Sequence, residues 1–212
     1  MTNAPKAVVF DLGKVLVEFD YGIAARKIAA QSALGDAGVQ KLLDHSPLLF
    51  RYETGSMTRR EFYHEACQGA GYKGTFEEFS ANFADIFWEI EPMIALNDLL
   101  RAQGTPTYIF SNTNDMAVEH IGAKFPFFSR FTDYILSYKH GAMKPNPKLY
   151  EVVERITGRS GADLVYLDDK AENIATALNR GWRGVVHETP EKTFGALSNL
   201  GLPVPPSVKT KA

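Results

Sequence analysis

The chain has 212 residues, of which 45% are hydrophobic and 23% are charged, and this balance predicts a globular protein with one large domain or a main domain and a smaller second one. Its 23 basic and 25 acidic residues leave a formal net charge of -2, which argues against a nucleic-acid-binding or membrane-surface protein. A single cysteine, Cys67, excludes an internal disulfide, and because no apolar stretch is typical of export or membrane insertion, we expect a cytoplasmic location.

The first predicted element is a short strand that ends in a carboxylate. The run Val8-Val9-Phe10 is too short for a helix and rich in β-branched residues, which predicts a strand buried on both faces. Asp11 follows at the carboxyl end of this strand, where open parallel sheets bind their ligands. Gly13 allows the backbone to turn sharply beside it. An ordinary turn aspartate has the same local pattern, so the rest of the chain decides between the two interpretations.

Residues 18–90 are predicted to be helical almost throughout, with no strand. Capping boxes that begin at Thr58 and Thr75 mark the starts of two helices, and helical spacing predicts another from Tyr21 to about Ala33. The segment from Tyr52 to Ser56 is predicted to be a loop. Because this block interrupts the chain directly after the first strand, we expect a second, smaller domain that lies over the end of that strand.

From Glu91 onward, single helices alternate with short strands. The strands are predicted at four places: Thr105–Phe110, Asp133–Tyr138, Asp163–Leu167 and Arg183–His187. Such alternation predicts a parallel sheet with right-handed crossovers, so the expected fold class is α/β with a doubly wound, five-stranded parallel sheet. We expect residues 1–17 and 91–202 to form this core, residues 18–90 a helical cap and residues 203–212 a disordered tail.

Polar residues stand at the ends of these strands or in the loops that follow them. Asp11 ends the first strand, Ser111-Asn112-Thr113 ends the second and Asp168-Asp169 ends the fourth, while Lys144 lies in the loop after the third. Because parallel strands end at one edge of a sheet, we expect these side chains to meet there. Each one alone has an ordinary explanation, as a helix cap or a solvated charge, and only their joint occurrence in this order favours a site.

The residue types indicate phosphate chemistry with a divalent cation. Asp11 with Asp168 and Asp169 forms an oxygen cluster suited to Mg²⁺, and the mutual repulsion of these carboxylates requires a cation or a raised pKa. Ser111, with the main-chain N–H groups of Asn112 and Thr113 at the start of the next helix, is expected to make an anion cradle, and Lys144 adds a positive charge. Together they suit attack of a carboxylate on phosphorus, with a Mg²⁺ ion that shares the phosphate oxygens.

Taken in this order, Asp11, Ser111, Lys144 and Asp168-Asp169 resemble the four motifs of the haloacid dehalogenase superfamily, most of whose members are Mg²⁺-dependent phosphatases. The resemblance covers roughly residues 6–200, and the helical block lies where the superfamily carries its C1 cap. The phrases Phe-Asp-Leu-Gly-Lys-Val-Leu-Val, Ser-Asn-Thr-Asn, Met-Lys-Pro and Leu-Asp-Asp-Lys-Ala-Glu-Asn are most similar to the subgroup that contains the bacterial α-D-glucose-1-phosphate phosphatase.

The resemblance implies a sheet order of 3-2-1-4-5 and a role for each motif residue. Asp11 would be the nucleophile that forms an aspartyl-phosphate, Ser111 and Asn112 would bind phosphate, and Lys144 would neutralise its charge. The implied substrate is a small phosphorylated metabolite, with a sugar phosphate favoured. We expect this chain to bind neither nucleic acid nor membrane and to be a monomer or a homodimer.

The same resemblance implies the ligands of a Mg²⁺ ion. They are Asp11, the main-chain carbonyl of Gly13, and Asp169 with Asp168 beside it. Asn173 would lie behind these ligands or help to order Asp169. The sequence leaves open which of the two neighbouring aspartates binds the metal directly.

Position 13 departs from the superfamily pattern. Most of its phosphatases carry a second aspartate there, which protonates the leaving oxygen, whereas Gly13 cannot transfer a proton. Such general acid–base catalysis contributes roughly 10²–10⁴-fold to the rate. The subgroup that this sequence resembles also carries glycine there, and a sugar 1-phosphate has a better leaving group than an alkyl phosphate. Glu18, Asp20 and the cap residue Glu53 are candidate replacements, and the sequence does not choose among them.

Two other functions therefore stay open beside a Mg²⁺-dependent phosphatase. A 2-haloacid dehalogenase releases halide without protonation, but it needs no metal and would require a cap arginine such as Arg26 or Arg51. A non-catalytic phosphate-binding protein would keep the anion cradle and lose the chemistry. We expect the phosphatase, since the paired aspartates at positions 168 and 169 argue for a metal.

Overall fold

The computed structural model describes residues 4–206, in which seven strands and ten α-helices are found. The strands are β1 (Ala7–Phe10), β2 (Val17–Phe19), β3 (Phe87–Glu89), β4 (Thr107–Ser111), β5 (Asp133–Leu136), β6 (Leu164–Asp168) and β7 (Arg183–Val186). The helices are α1 (Tyr21–Ala29), α2 (Asp36–Leu43), α3 (Pro47–Glu53), α4 (Arg59–Ala70), α5 (Phe76–Ala84), α6 (Glu91–Ala102), α7 (Asp115–Lys124), α8 (Pro147–Thr157), α9 (Ala171–Asn179) and α10 (Pro190–Asn199). No helix in the described range is both long and apolar enough to cross a lipid bilayer.

A five-stranded parallel sheet has the order β5-β4-β1-β6-β7. Counted among these five strands alone, this is the expected order 3-2-1-4-5, so the fold prediction is confirmed. β1 lies in the middle, with Val9 opposite Tyr108 of β4 and Tyr166 of β6. The residue that follows β1, Asp11, therefore lies at the centre of the carboxyl edge, between the ends of β4 and β6.

Helices cover both faces of this sheet. On one face, Val8 and Phe10 belong to a buried cluster with residues of α6, α7 and α10. On the other face, Ala7 and Val9 belong to a cluster with residues of α8 and α9. A strand that is buried on both sides must be apolar throughout, which is why β1 shows a continuous apolar run and no alternation.

The insert between β1 and β4 has a hydrophobic cluster of its own, built by α1–α5. Phe62, Phe79 and Phe83 lie at its centre, with ring centroids of Phe62 and Phe83 4.9 Å apart. Both predicted capping boxes are present, at Thr58 and Thr75. The expected helical cap is thus present as a unit with its own core.

β2 and β3 were not predicted. They pair antiparallel, with Val17 opposite Glu89, at the two points where the chain enters and leaves the insert. The expectation that residues 18–90 contain no strand is therefore wrong at both ends of that range. Three residues are too few to show an alternating pattern, and the partner strand is remote in sequence.

The loop predicted from Tyr52 to Ser56 begins inside a helix. Ser46 caps α3 by accepting a hydrogen bond from the Leu49 N–H, and the helix continues to Glu53. The proline at its first turn favours a helix start, so the pattern Ser-Pro marks the beginning of α3.

The division into core, cap and tail stays a prediction. β2 and β3 carry the chain from the sheet to the helical insert and back. Of the predicted tail, residues 203–206 are described and have no regular structure, and Val204 packs against the core. Residues 207–212 lie outside the described part of the chain.

Candidate active site

Three carboxylates meet at the carboxyl edge of β1 and β6, as the sequence predicts. One oxygen from each of Asp11, Asp168 and Asp169 can be chosen so that all three lie within 4.8 Å of one another. Asp11 and Asp168 are buried and Asp169 is half-buried. Carboxylate oxygens in such a group are the ligands that Mg²⁺ prefers.

A buried lysine supplies positive charge to this cluster. The Lys144 Nζ lies 2.9 Å from Asp11 Oδ1 and 2.7 Å from Asp168 Oδ2, and it also donates to the Phe110 carbonyl at 3.0 Å. Burial acts to lower the pKa of Lys144, but the two carboxylates outweigh it and hold the pKa above its ordinary value. The lysine therefore stays charged and is fully occupied by these three acceptors.

One lysine does not balance three carboxylates. Burial raises the pKa of Asp11 to about 8, against the opposing effect of Lys144, and burial together with the neighbouring Asp168 raises the pKa of Asp169. Both shifts express the free-energy cost of placing a second and a third negative charge here. A divalent cation would remove that cost, so the charge of the site fits a bound Mg²⁺ ion.

Asp168 is held by donors from this chain. Its oxygens accept hydrogen bonds from the Lys170 N–H at 2.8 Å, from Asn173 Nδ2 at 2.9 and 3.0 Å, and from the Tyr166 hydroxyl, besides the contact with Lys144. Burial acts to raise the pKa of Asp168, but Lys144 and these hydrogen bonds outweigh it and lower the pKa. Asp168 is therefore charged, fixed in place and positioned to orient Lys144.

Asn173 contacts a different aspartate from the one expected. Its Nδ2 donates to both oxygens of Asp168, so it orders Asp168 and not Asp169. Its Oδ1 is buried and has no hydrogen-bond partner in the described part of the chain, and Asn173 is among the residues that line the cavity above Asp11. A buried acceptor without a partner suits a water molecule bound to a cation beside it, which is a second feature that fits Mg²⁺.

The phosphate side of the site is built around the end of β4. Ser111 is buried and lines the same cavity as Asp11. The Asn112 side chain grips the main chain of Lys144, since its Oδ1 accepts from the Lys144 N–H at 2.7 Å and its Nδ2 donates to the Lys144 carbonyl at 3.0 Å. The Asn112 side chain therefore positions Lys144, which leaves its main chain for the phosphate binding that the sequence predicts.

Ser137 is a residue that the sequence did not single out. Its Oγ accepts a hydrogen bond from the Thr113 N–H at 2.9 Å. This N–H is therefore not available to the anion cradle, contrary to the expectation. The same Oγ donates to the carbonyl of the cap residue Glu53 at 2.6 Å. Ser137 thus ties the cap to the end of β4, and because serine is common in loops, no sequence signal marks it.

Other contacts seat the cap on the core beside the site. The Tyr52 hydroxyl donates to Asp115, and Arg59 Nε donates to the second oxygen of Asp115 at 2.6 Å. Gly55 has a φ of 70°, and a Cβ placed on it would lie 2.1 Å from the Tyr138 carbonyl oxygen. Only a glycine allows this approach, so the cap loop lies directly against the core.

The closed cap leaves a cavity of about 140 Å³ above Asp11. Its walls combine the site residues and the core residue Met143 with aromatic, aliphatic and polar side chains of the cap and its connections: Phe19, Tyr21, His45, Leu49 and Glu53. Burial raises the pKa of Glu53 to about 7, partly offset by Lys170. The cavity is therefore small, partly open to solvent and able to form hydrogen bonds to a polar ligand.

Comparison with known proteins agrees with this arrangement. Residues 5–181 match the family model described as haloacid dehalogenase-like hydrolase. The chain is 26% identical over 188 residues to the sesquiterpene phosphatase AstK of Aspergillus oryzae, and the aligned region covers 87% of this chain and 91% of the relative. It is 28% identical over 189 residues to the D-ribitol-5-phosphate phosphatase of Bacteroides thetaiotaomicron, and the aligned region covers 84% of this chain and 89% of the relative.

A solved structure has the same fold. A haloacid dehalogenase family enzyme from Bacteroides thetaiotaomicron, in complex with magnesium and inorganic phosphate, superposes with a TM-score of 0.74 at 22% identity. The match covers 87% of this chain and 94% of that enzyme. The predicted architecture of core and inserted cap therefore recurs in a protein that binds both ions.

Proposed function

The chain belongs to the haloacid dehalogenase-like hydrolases, and we propose that it is a Mg²⁺-dependent phosphatase of a small phosphorylated metabolite, with Asp11 as nucleophile. The observation that carries this proposal is the placement of Asp11 beside a buried lysine, within a carboxylate cluster and under the cavity at the cap. This arrangement suits attack on a phosphate ester, since it provides a nucleophile, a cation site and space for a small ligand.

The oxygens of Asp11 are not equivalent. Oδ1 accepts from the Leu12 N–H at 2.7 Å and faces Lys144 at 2.9 Å, which fixes the plane of the carboxylate. These donors leave Oδ2 as the oxygen for a bond to phosphorus. Attack forms an aspartyl-phosphate as the ester P–O bond breaks, and a water molecule then attacks phosphorus, which releases inorganic phosphate and restores Asp11.

The residues that would hold Mg²⁺ are Asp11, the carbonyl of Gly13 and Asp169. Asp168 belongs to the same cluster, but its oxygens already accept several hydrogen bonds, so we assign it to the positioning of Lys144. When bound, the ion would offset the surplus negative charge and share oxygens with the phosphate.

The phosphate group would be bound by Ser111 and the main chain of Asn112, with the charge of Lys144 behind them. Ser111 lines the cavity, and the Asn112 side chain forms hydrogen bonds with both the N–H and the carbonyl of Lys144. Lys144 thus performs two tasks, since it keeps Asp11 and Asp168 together and offsets part of the phosphate charge.

The size and polarity of the cavity favour a sugar or polyol phosphate. A volume of about 140 Å³ with His45 and Glu53 in its walls suits a short, hydroxylated leaving group better than a long terpenyl chain. The sequence resemblance to the α-D-glucose-1-phosphate phosphatase subgroup and the likeness to a D-ribitol-5-phosphate phosphatase point in the same direction.

A dehalogenase is less well supported. Arg51 donates to Glu65 at 2.9 and 2.7 Å, and Arg26 is exposed on α1, so neither lines the cavity above Asp11. The surplus of carboxylates also demands a cation that halide release does not use.

The test is phosphate release from a panel of sugar, polyol and aryl phosphates, with Mg²⁺ and with excess EDTA. We expect turnover only with Mg²⁺, and complete loss in Asp11→Asn, while the exposed control Asp133→Asn retains activity. If activity survived in Asp11→Asn, Asp11 would not be the nucleophile. Metal-free chloride release from 2-chloropropionate would identify a dehalogenase, and binding of Mg²⁺ without turnover of any ester would identify a binding protein.

A further inference from the structure

The space beside Gly13 is narrow. A Cβ at this position would lie 2.9 Å from Cε1 of Phe19. The Phe19 ring is itself held between Phe87 and Tyr21, with ring centroids 6.1 and 5.8 Å away. An acid at position 13 would therefore require the Phe19 ring to shift, and Gly13 itself supplies no proton to the leaving oxygen.

Two of the three candidate acids are committed elsewhere. Glu18 lies 2.6 Å from the Lys14 Nζ and lines an open cavity of about 710 Å³, which shares Lys14 and Asp169 with the cavity above Asp11 but does not reach Asp11 itself. Asp20 caps α1 and accepts from the Gly22 N–H at 2.7 Å. Both carboxylates have a structural task, and neither lines the cavity above Asp11.

Glu53 differs from both in position. It lines the cavity above Asp11, and it also lines an adjoining cavity of about 50 Å³ whose walls include Gly13, Phe19 and Ser111. Among the described residues, it is the carboxylic acid that lines both cavities. A group in this place can reach a leaving oxygen bound above Asp11 from the cap side.

The main chain at Glu53 is fixed although it belongs to the cap. Ser137, which is fully buried in the core, donates to the Glu53 carbonyl at 2.6 Å. Two residues later, Gly55 lies against the Tyr138 carbonyl. The main chain of Glu53 is thus held to the core, and Glu53 is also part of the wall of the cavity above Asp11.

The charged and titratable groups around Glu53 come from several elements. Tyr21 of α1 and Asp44 after α2 lie on the cap side, and Lys144 and Lys170 on the core side. Burial has the largest effect on the carboxyl and raises its pKa to about 7, Asp44 adds to the rise, and the two lysines oppose it. A substantial share of Glu53 therefore carries a proton at neutral pH, as a general acid must.

We propose that Glu53 is the proton donor to the leaving oxygen, in place of the acid that position 13 lacks; this rests on the proposed phosphatase function. As Asp11 bonds to phosphorus, the ester P–O bond breaks, its electron pair stays on the ester oxygen, and that oxygen takes the proton of Glu53. The resulting carboxylate then accepts a proton from water as the water oxygen bonds to phosphorus and the P–O bond to Asp11 breaks. Phosphate leaves, and Asp11 and Glu53 return to their starting states.

The test compares two leaving groups in the variant Glu53→Gln. An alkyl ester such as a polyol phosphate needs a proton on its leaving oxygen, whereas p-nitrophenyl phosphate does not. We expect kcat/KM for the alkyl ester to fall by roughly 10²-fold or more, with little change in kcat/KM for the aryl ester. This ratio reports the steps up to departure of the leaving group, whereas the later attack of water is common to both esters. Glu53→Asp should recover part of the lost activity, and the matched control Glu18→Gln should behave like wild type on both esters.

A pH profile gives a second readout. In the wild type, kcat/KM for the alkyl ester should decline above about pH 7, because the acid must be protonated in the free enzyme. This decline should be absent in Glu53→Gln. Thermal unfolding of each variant checks that the fold is retained.

The outcomes separate this inference from its premise. An equal loss of kcat/KM on both esters would overturn it, because a residue that only shapes the cavity or seats the cap affects every leaving group. Full alkyl activity in Glu53→Gln would also overturn it, while loss of that activity in Asp11→Asn would leave the phosphatase proposal standing. Absence of any ester turnover by the wild type would overturn both.

Discussion

The buried lysine offers the sharpest test of how the site is held together. In Lys144→Met the side chain keeps much of its length and loses its charge and its three hydrogen-bond acceptors, namely Asp11, Asp168 and the Phe110 carbonyl. Asp11 can take up a proton, because burial already raises its pKa to about 8. Asp168 then carries most of the cost, since it is fully buried and loses its countercharge.

The magnitude follows from what is left behind. Removing one partner of a buried ion pair typically costs about 3–5 kcal/mol, because the remaining charge has no compensation and no water. Asp168 keeps hydrogen bonds from Asn173, the Lys170 N–H and Tyr166, which places the expected loss toward the lower end of that range. Catalysis should be lost as well, since the same nitrogen faces the nucleophile.

The assay is urea unfolding of wild type and variant at neutral pH in EDTA, so that no added cation replaces the lysine. The matched control is Lys124→Met, because Lys124 Nζ lies 2.6 Å from Asp85 Oδ1 but both side chains are more than two-fifths exposed. An exposed pair of this kind contributes at most about 1 kcal/mol. If Lys144→Met lost no more than the control, Lys144 would not be the counterion that the geometry indicates.

Two further predictions concern the cap and the metal. Gly55→Ala should lower phosphatase activity on the order of 10²-fold, because its Cβ would meet the Tyr138 carbonyl and displace the cap loop, whereas Gly104→Ala, at a similar positive φ in open space, should lose only stability; equal activity of the two variants would contradict this. Mg²⁺ at about 100 times its Kd should stabilise the wild type by about 2.7 kcal/mol in thermal unfolding, and Asp169→Asn should lose most of this gain while Asp133→Asn keeps it.

Much of the core could be predicted because its signals are local. The run Val8-Val9-Phe10 is apolar throughout, since β1 has helices on both faces, and the alternation of strands and helices after residue 90 fixes a parallel sheet. β2 and β3 were missed for the opposite reason. Each has three residues, and what makes them strands is their pairing with each other across the whole insert.

The site shows the same limit at the level of side chains. The order of the motifs predicts that Asp11, Lys144 and the aspartate pair meet, because strand ends share one edge of the sheet. It does not predict which donor serves which acceptor. Asn173 donates to Asp168, and the Asn112 side chain forms hydrogen bonds with the main chain of Lys144. These pairings could not be predicted because they depend on how α9 and the loop after β5 pack.

The arrangement around Gly13 has a mechanistic consequence. If the proton comes from Glu53, the acid belongs to the cap and not to the strand that carries the nucleophile. Proton transfer then requires the cap to be seated, through the Ser137 contact with Glu53 and the close approach at Gly55. An open cap would expose Asp11 to water but would hold no acid near a leaving group. Efficient cleavage of an unactivated ester would therefore occur only after closure over a substrate that fits, so the same motion would select the substrate and complete the catalytic site.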